Sequence, residues 1–168
     1  MADKTKFDII EWKEFDNIIN EFVKLKKEER YNAILSISKG GLIPGVALAH
    51  KLGIKEFYVI DIRRNSSEEP YSGKIPPVFQ DFDYGQLKGK KVLVVDDIVG
   101  TGKTLLELKG KLSAANITNY GIFVLVKFDG DYSPDKSLKL DFFGKICRNW
   151  VIFPWENQPC QTKSHTIP

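Results

Sequence analysis

The feature that most constrains the fold of this chain is residues 92–104, where an aliphatic run is followed by two acids and a loop of glycine and threonine. Residues 92–95 are mostly β-branched, which is typical of a strand buried on both faces inside a parallel sheet. Asp96 and Asp97 follow where this strand should end, and the leucines within residues 105–108 predict a helix after the loop. Backbone N–H groups beside a helix N-terminus favour an anion, and paired carboxylates can hold sugar hydroxyls or a divalent metal. This order of elements predicts a site for a phosphorylated sugar.

Two better-known glycine motifs fail on this segment. A Walker A loop would need a glycine five positions before Gly102, where the chain has Asp97. A dinucleotide fingerprint that begins at Gly100 would need its third glycine where the chain has Leu105. The loop is therefore neither of these two nucleotide-binding motifs.

The composition predicts one cytoplasmic domain without a membrane or nucleic-acid partner. A chain of 168 residues can bury about two-thirds of its unfolded surface around one core. Its net charge is only +3, and an anionic substrate needs no more than local positive charge. Cys147 and Cys160 lack metal-type spacing, so we expect no disulfide framework and a reducing cytosol. Residues 1–6 are polar, with no signal-peptide pattern, and no apolar run is long enough to cross a bilayer.

The rest of the chain alternates between predicted strands and helices. The strands are expected at residues 7–12, 32–38, 56–62, 120–128 and 136–146, and the helices at residues 13–27, 46–52 and 103–112. Residues 65–89 are polar and rich in turn residues, and a loop this long is usually functional or mobile. The alternation predicts a doubly wound α/β domain with a central parallel sheet, whose ligand lies at the carboxyl ends of the strands.

Residues 92–104 resemble, position by position, the phosphoribosyl pyrophosphate (PRPP) loop of the type I phosphoribosyltransferases. The resemblance implies that Asp96 and Asp97 bind the ribose hydroxyls, directly or through Mg²⁺, with Asp97 as the metal ligand. Together with Lys39, these two acids are the implied catalytic residues. The implied PRPP-binding residues are Ser38, Lys39, Gly40, Asp96, Asp97, Ile98, Val99, Gly100, Thr101, Gly102, Lys103 and Thr104.

A second loop, residues 38–41, resembles the pyrophosphate loop of the purine phosphoribosyltransferases, which in that family contains a non-proline cis peptide. The same Ser-Lys-Gly-Gly sequence also suits a plain turn, but its position one βα unit before the PRPP loop favours the pyrophosphate site. Lys39 would then lie against the leaving group. Arg63 and Arg64, at the start of a region that forms a flexible lid in the family, suit either pyrophosphate binding or a surface salt bridge.

Residues 32–156 are most similar to the xanthine–guanine and hypoxanthine branch of the family. Lys127 matches the lysine that donates a hydrogen bond to the exocyclic oxygen of the purine, and a lysine amine selects an oxo group because it cannot accept. Trp150 matches the aromatic residue that stacks on the base, and Val151 matches the neighbour whose backbone contacts the purine edge. The plainer alternatives are a solvated strand end for Lys127 and core packing for Trp150. The resemblance also implies a single domain over residues 1–168, with a core at about residues 30–140 and a small hood from residues 1–12 and 141–168.

Gly100 departs from the pattern of this branch. An aspartate usually stands there and is assigned as the acid/base at the purine N7; losing a true general base typically costs about 10²–10⁴ in rate. Three functions therefore stay open. The first is Mg²⁺-dependent transfer from PRPP to hypoxanthine, guanine or xanthine in purine salvage. The others are transfer to another nucleobase and non-catalytic sensing of PRPP. Assembly into a homo-oligomer, a dimer or tetramer, is implied by the family alone.

Overall fold

The computed structural model describes residues 6–65, 74–129 and 137–156, without the side chains of residues 64, 65, 74 and 75. Within these residues no helix is long and apolar enough to cross a membrane. The helices are α1 (Trp12–Lys26), α2 (Leu42–Leu52) and α3 (Lys103–Ala114), with 3-10 turns at Lys27–Glu29 and Tyr84–Leu87. The strands are β1 (Phe7–Ile9), β2 (Ala33–Ser38), β3 (Glu56–Asn65), β4 (Lys74–Phe79), β5 (Val92–Val99), β6 (Tyr120–Phe128), β7 (Phe142–Cys147) and β8 (Trp150–Ile152).

Six strands form the main sheet in the order β4-β3-β2-β5-β6-β7. All neighbouring pairs are parallel except the pair of β3 and β4. The central strands β2, β5 and β6 are mostly buried, because their continuous aliphatic runs lie between apolar layers on both faces. This architecture confirms the predicted doubly wound α/β fold with a central parallel sheet.

Helices cover both faces of the main sheet. On one face Phe22 of α1 and Leu48 of α2 are fully buried in the same apolar cluster as Phe123 of β6. On the other face Leu105 and Leu108 of α3 belong to a second cluster. Because the parallel strands all end at one edge, the loops after β2, β5 and β6 meet there, as predicted for the ligand site.

Residues 65–89, predicted as one long loop, contain a strand. β4 pairs antiparallel with β3 at the edge of the main sheet. Pro76 and Pro77 suggested a loop, but an edge strand tolerates proline because its outer N–H groups need no partner. The prediction is therefore wrong for residues 74–79. Residues 66–73, which are part of the predicted lid, lie outside the described residues.

Several element boundaries differ from those predicted, most clearly those of α2 and β7. α2 begins at Leu42 rather than at residue 46, with Pro44 in its first turn. Proline is tolerated there because the first N–H groups of a helix have no partner within the helix. The strand predicted over residues 136–146 is shorter and shifted, since β7 begins at Phe142 and ends at Cys147.

A small second sheet forms where the hood was predicted. β1 and β8 pair in parallel, with Phe7 opposite Trp150. Trp155 follows β8 and packs on α1, its ring centroid 5.7 Å from that of Phe15. β7, which we expected in the hood, instead pairs with β6 in the main sheet, because its apolar residues complete the layer against α1. The hood below therefore means residues 7–10 and 148–156.

Candidate active site

The acid pair lies in the second half of β5, towards its carboxyl end. The prediction that this strand ends before the acids is wrong, because Ile98 and Val99 still pair with β6. Asp96 and Asp97 are both half-buried. The carboxylate of Asp96 accepts a hydrogen bond from the backbone N–H of Asp97, with N and Oδ1 3.0 Å apart. Oδ1 of Asp97 accepts from the backbone N–H of Ile98 at 2.7 Å. Both carboxylates are thus fixed by the backbone that carries them.

The turn after β2 packs directly on this acid pair. A methyl group on Gly40 would overlap the carboxylate of Asp97, so only glycine leaves room for the acid. A methyl group on Gly41 would meet the backbone carbonyl oxygens of Val95 and Ile37. The peptide bond between Ser38 and Lys39 is cis, as the family resemblance implies. The structure therefore brings together the two loops that the sequence links to PRPP.

The environment of Asp97 disfavours its ionised form, which is the opposite of what a carboxylate in an ion pair experiences. Burial raises the pKa of Asp97 to about 6, against the lowering effect of its hydrogen bonds, and the negative charge of Glu156 raises it further. The effect of Glu156 indicates that the end of the hood lies on the side of the acid pair. Glu156 is not among the site residues predicted from the sequence.

The start of α3 provides the expected place for an anion. Gly102 precedes the helix with φ of 78°, a left-handed conformation that favours glycine. The first N–H groups of the helix have no partner within it and carry the positive end of the helix dipole. Thr101 and Thr104 are half-buried beside this turn, and Lys103 is exposed. These groups suit a phosphate that enters from the carboxyl edge of the sheet.

Ser38 is connected to β3 through Asp61. Its hydroxyl donates to Oδ1 of Asp61 at 3.0 Å, and the two residues are register partners in the sheet. Arg63 is exposed, and its Nε lies 3.5 Å from Oδ2 of the same aspartate. Arg63 therefore forms the surface salt bridge that was one of its two predicted roles, while the side chain of Arg64 is not described.

The residues predicted to bind the base lie on two sheets. Lys127, the residue before the last of β6, lies opposite Val99, the last residue of β5, so it adjoins the PRPP loop. Its Nζ lies 5.2 Å from the ring centroid of Phe143. Trp150 is half-buried and Val151 buried in the hood strand β8. The hood thus has to hold these two residues correctly relative to the main sheet.

A divalent cation fits the acid pair. Carboxylate oxygens are ligands that Mg²⁺ prefers, and a bound cation would stabilise the ionised form of Asp97, which burial and then the charge of Glu156 disfavour. No cluster of three or more metal-binding side chains occurs in the described part of the chain.

Comparisons with known proteins agree with this geometry. A family model, the phosphoribosyl transferase domain, matches residues 9–161. A xanthine-guanine phosphoribosyltransferase of Idiomarina loihiensis is 27% identical over 152 residues, which cover 88% of this chain and 85% of that protein. Such relatives are enzymes.

Solved structures extend the comparison to the fold. A purine phosphoribosyltransferase from Pyrococcus horikoshii has a TM-score of 0.73 and 28% identity, covering 92% of this chain and 97% of its own. The xanthine-guanine-hypoxanthine phosphoribosyltransferase of Helicobacter pylori has a TM-score of 0.65 over 89% of this chain and 92% of its own. At 20% identity, that likeness shows the fold alone. With the acid pair, the glycine turn and the matched family model in agreement, the chain belongs to the phosphoribosyl transferase domain family.

Proposed function

We propose that the protein transfers a phosphoribosyl group from PRPP to N9 of a 6-oxopurine, releasing pyrophosphate in a Mg²⁺-dependent reaction. The observation that carries the proposal is the close packing of Gly40 on Asp97, which puts the predicted pyrophosphate loop beside the predicted sugar site. The named purine specificity of the relatives supports the purine acceptor. The names of these relatives do not favour the two alternatives, transfer to another nucleobase and non-catalytic sensing of PRPP.

The sugar and its phosphate would be held by β5 and the loop after it. Asp96 and Asp97 bind the 2′- and 3′-hydroxyls of the ribose, and their backbone hydrogen bonds fix them before the substrate arrives. The N–H groups at the start of α3, with the hydroxyls of Thr101 and Thr104, bind the 5′-phosphate. Rigid binding of both ends of the sugar fixes its anomeric carbon for attack.

The leaving pyrophosphate would be stabilised by the turn at residues 38–41. Lys39 and the adjacent backbone place positive groups where negative charge develops as the bond to the sugar breaks. Ser38 is fixed by Asp61, which restricts the geometry of this turn. A bound Mg²⁺ would neutralise phosphate charge and polarise the bond that breaks.

The base would be oriented by the end of β6 and by the hood. Lys127 donates to the 6-oxo group, and Trp150 stacks on the ring. The backbone of Val151 contacts the edge of the purine. These contacts direct N9 towards the sugar, and with Gly100 in place of an acid/base, positioning and electrostatic stabilisation provide the catalysis.

A screen of acceptors tests the proposal. PRPP and Mg²⁺ are incubated with hypoxanthine, guanine, xanthine and adenine, and pyrophosphate and nucleotide are measured. We expect turnover with at least one 6-oxopurine and a loss of about 10² or more in kcat/KM when both Asp96→Asn and Asp97→Asn are introduced. Asp83→Asn is the matched control, because that acid only caps a turn through the N–H of Gly85. Absence of pyrophosphate release with every base would refute the proposal.

Some further features belong to the same proposal. Magnesium as the metal and assembly into a dimer or tetramer follow from the family resemblance. A cytoplasmic location follows from the same resemblance and from the composition. That residues 1–168 form one domain, with nucleic acid excluded as a partner, likewise stays a prediction.

A further inference from the structure

The segment that carries Trp150 is held by an acid from the other end of the chain. Oδ2 of Asp8, in β1, accepts hydrogen bonds from the backbone N–H groups of Arg148 and Asn149, both at 2.9 Å. Its Oδ1 accepts from the side-chain amide of Asn149 at 3.3 Å. Asp8 therefore fixes the two residues through which the chain passes from β7 into β8.

The electrostatics of Asp8 agree with this arrangement. Partial burial acts against its charge, but the hydrogen bonds from Asn149 and Arg148 outweigh it and hold the pKa of Asp8 below its ordinary value. Lys145 lowers it further through its positive charge. The acid is thus ionised at neutral pH, and hydrogen bonds to a charged acceptor are the stronger kind.

The contacts of Asp8 add to a short ladder, since β1 and β8 pair over three residue pairs. Further along the chain, Val151 and Phe153 are buried in the main apolar cluster. After β8 the chain is anchored by Trp155, whose ring stacks on Phe153 at 4.8 Å and packs on Trp12 of α1. Trp150 consequently lies between an aromatic anchor that follows it and the carboxylate of Asp8 before it.

We propose that Asp8 is a positioning residue for the purine base. By fixing the residues before Trp150, it sets the plane of the indole and the height of the Val151 backbone above the main sheet. Asp8 itself does not touch the base. The inference rests on the proposed function, because it gives Trp150 and Val151 their base-binding roles.

The test separates the KM for the base from the KM for PRPP. Asp8→Ala removes an acceptor of three hydrogen bonds, so we expect the KM for the preferred base to rise about tenfold, the equivalent of about 1.4 kcal/mol. The KM for PRPP should change less than about twofold, because the PRPP loops are on the main sheet. Asp8→Asn keeps an acceptor oxygen without the charge and should restore part of the base affinity, leaving a rise of about threefold in the KM for the base.

Asp141→Ala is the matched control. The carboxylate of Asp141 also accepts a backbone hydrogen bond, from Ile122 at 2.7 Å, but at the opposite edge of the sheet. We expect it to lower stability while leaving the KM for the base unchanged. Should Asp8→Ala fail to fold, Asp8→Asn still tests the proposal through a rise of about threefold, since it loses the charge-assisted part of the bonds.

The outcomes distinguish this inference from the function on which it rests. An active wild-type protein whose KM for the base is unchanged in the Asp8 variants would overturn the role of Asp8 alone. Equal rises in the KM for the base and for PRPP, or the same rise in Asp141→Ala, would show a purely structural role and overturn it too. A wild-type protein without turnover on any base would refute the proposed function, and this inference with it.

Discussion

Two carboxylates near opposite ends of β5 have opposite electrostatics. At the amino edge of the sheet Glu29 is paired with Lys26 and Lys91 and accepts from the hydroxyl of Tyr31. The hydrogen bonds from the two lysines lower the pKa of Glu29 to about 2. At the carboxyl edge, burial and then the charge of Glu156 raise the pKa of Asp97 to about 6.

The difference separates an acid paired within the fold from the acid that we propose to bind substrate. Glu29 joins the end of α1 to the start of β5, and its cationic partners are supplied by the chain itself. The ionised form of Asp97 is disfavoured mainly by burial and also by the charge of Glu156, which costs stability unless a ligand relieves it. Such a cost is typical of sites built to bind something.

Gly40→Ala should have the largest effect on activity, because it acts on Asp97. The added methyl group would overlap the carboxylate of Asp97 and displace it. A displacement of about 1 Å in a reacting geometry can cost about 10² in rate, so we expect kcat/KM to fall by at least that factor. Steady-state assays of pyrophosphate release measure it. Gly110→Ala in α3 is the control: its methyl group meets nothing, so activity should persist and stability rise by about 0.5–1 kcal/mol.

Asp97→Asn should separate activity from stability. An amide keeps the oxygen that accepts from Ile98 but removes a charge that lies near Glu156. We expect a loss of about 10² in kcat/KM, together with an unchanged or higher free energy of unfolding at pH 7 without metal. Denaturant titration and initial-rate assays on one preparation measure both. A large loss of stability would place Asp97 with the structural acids.

Glu29→Gln should produce the opposite pattern. It removes the charge that pairs with two lysines, and we expect a loss of about 1 kcal/mol in unfolding free energy at pH 7 after allowing for solvent screening. The KM for PRPP should not change. Because the folded pKa of about 2 lies below the ordinary value of 4.5, this contribution is complete above pH 4.5. It should be lost as the pH falls towards 2, and denaturation curves at several pH values measure this. A stability difference between the wild-type protein and Glu29→Gln that persists at pH 2 would contradict the prediction.

Ser36→Ala should have the smallest effect, at the buried middle of β2. Ser36 is fully buried, and its hydroxyl has no hydrogen-bond partner among the described residues. Removal of an unsatisfied buried hydroxyl should leave the unfolding free energy unchanged or raise it by less than about 1 kcal/mol. A loss of about 1 kcal/mol or more would reveal a bond made by this hydroxyl in solution.

The sequence predicted those parts of the fold in which local pattern and tertiary environment agree. β5 and β6 are continuous aliphatic runs, which only a strand covered on both faces accommodates. The acid pair and the glycine turn were identifiable because their order along the chain is specific. The strand β4 was predicted as loop because it contains Pro76 and Pro77. Proline is tolerated in a strand at a sheet edge, but nothing in the local sequence indicates that a strand will lie there.

The remaining parts of the site depend on contacts between distant residues. Glu156 affects the pKa of Asp97 through its charge. Asp8 fixes the residues before Trp150 because it lies beside Asn149. Neither contact leaves a periodic or spaced signal in the sequence, because each forms only when the hood folds onto the sheet. The opposite pKa shifts of Glu29 and Asp97 arise in the same way, from partners that folding brings together.

Calorimetric titration of PRPP in the presence of Mg²⁺ tests the central claim most directly, that the acid pair at the end of β5 binds the sugar of PRPP. The wild-type protein and Glu29→Gln should bind PRPP with the same affinity. The variant with both Asp96→Asn and Asp97→Asn should bind at least about tenfold more weakly, equivalent to about 1.4 kcal/mol. Equal affinity of the wild-type protein and the double variant would contradict the account.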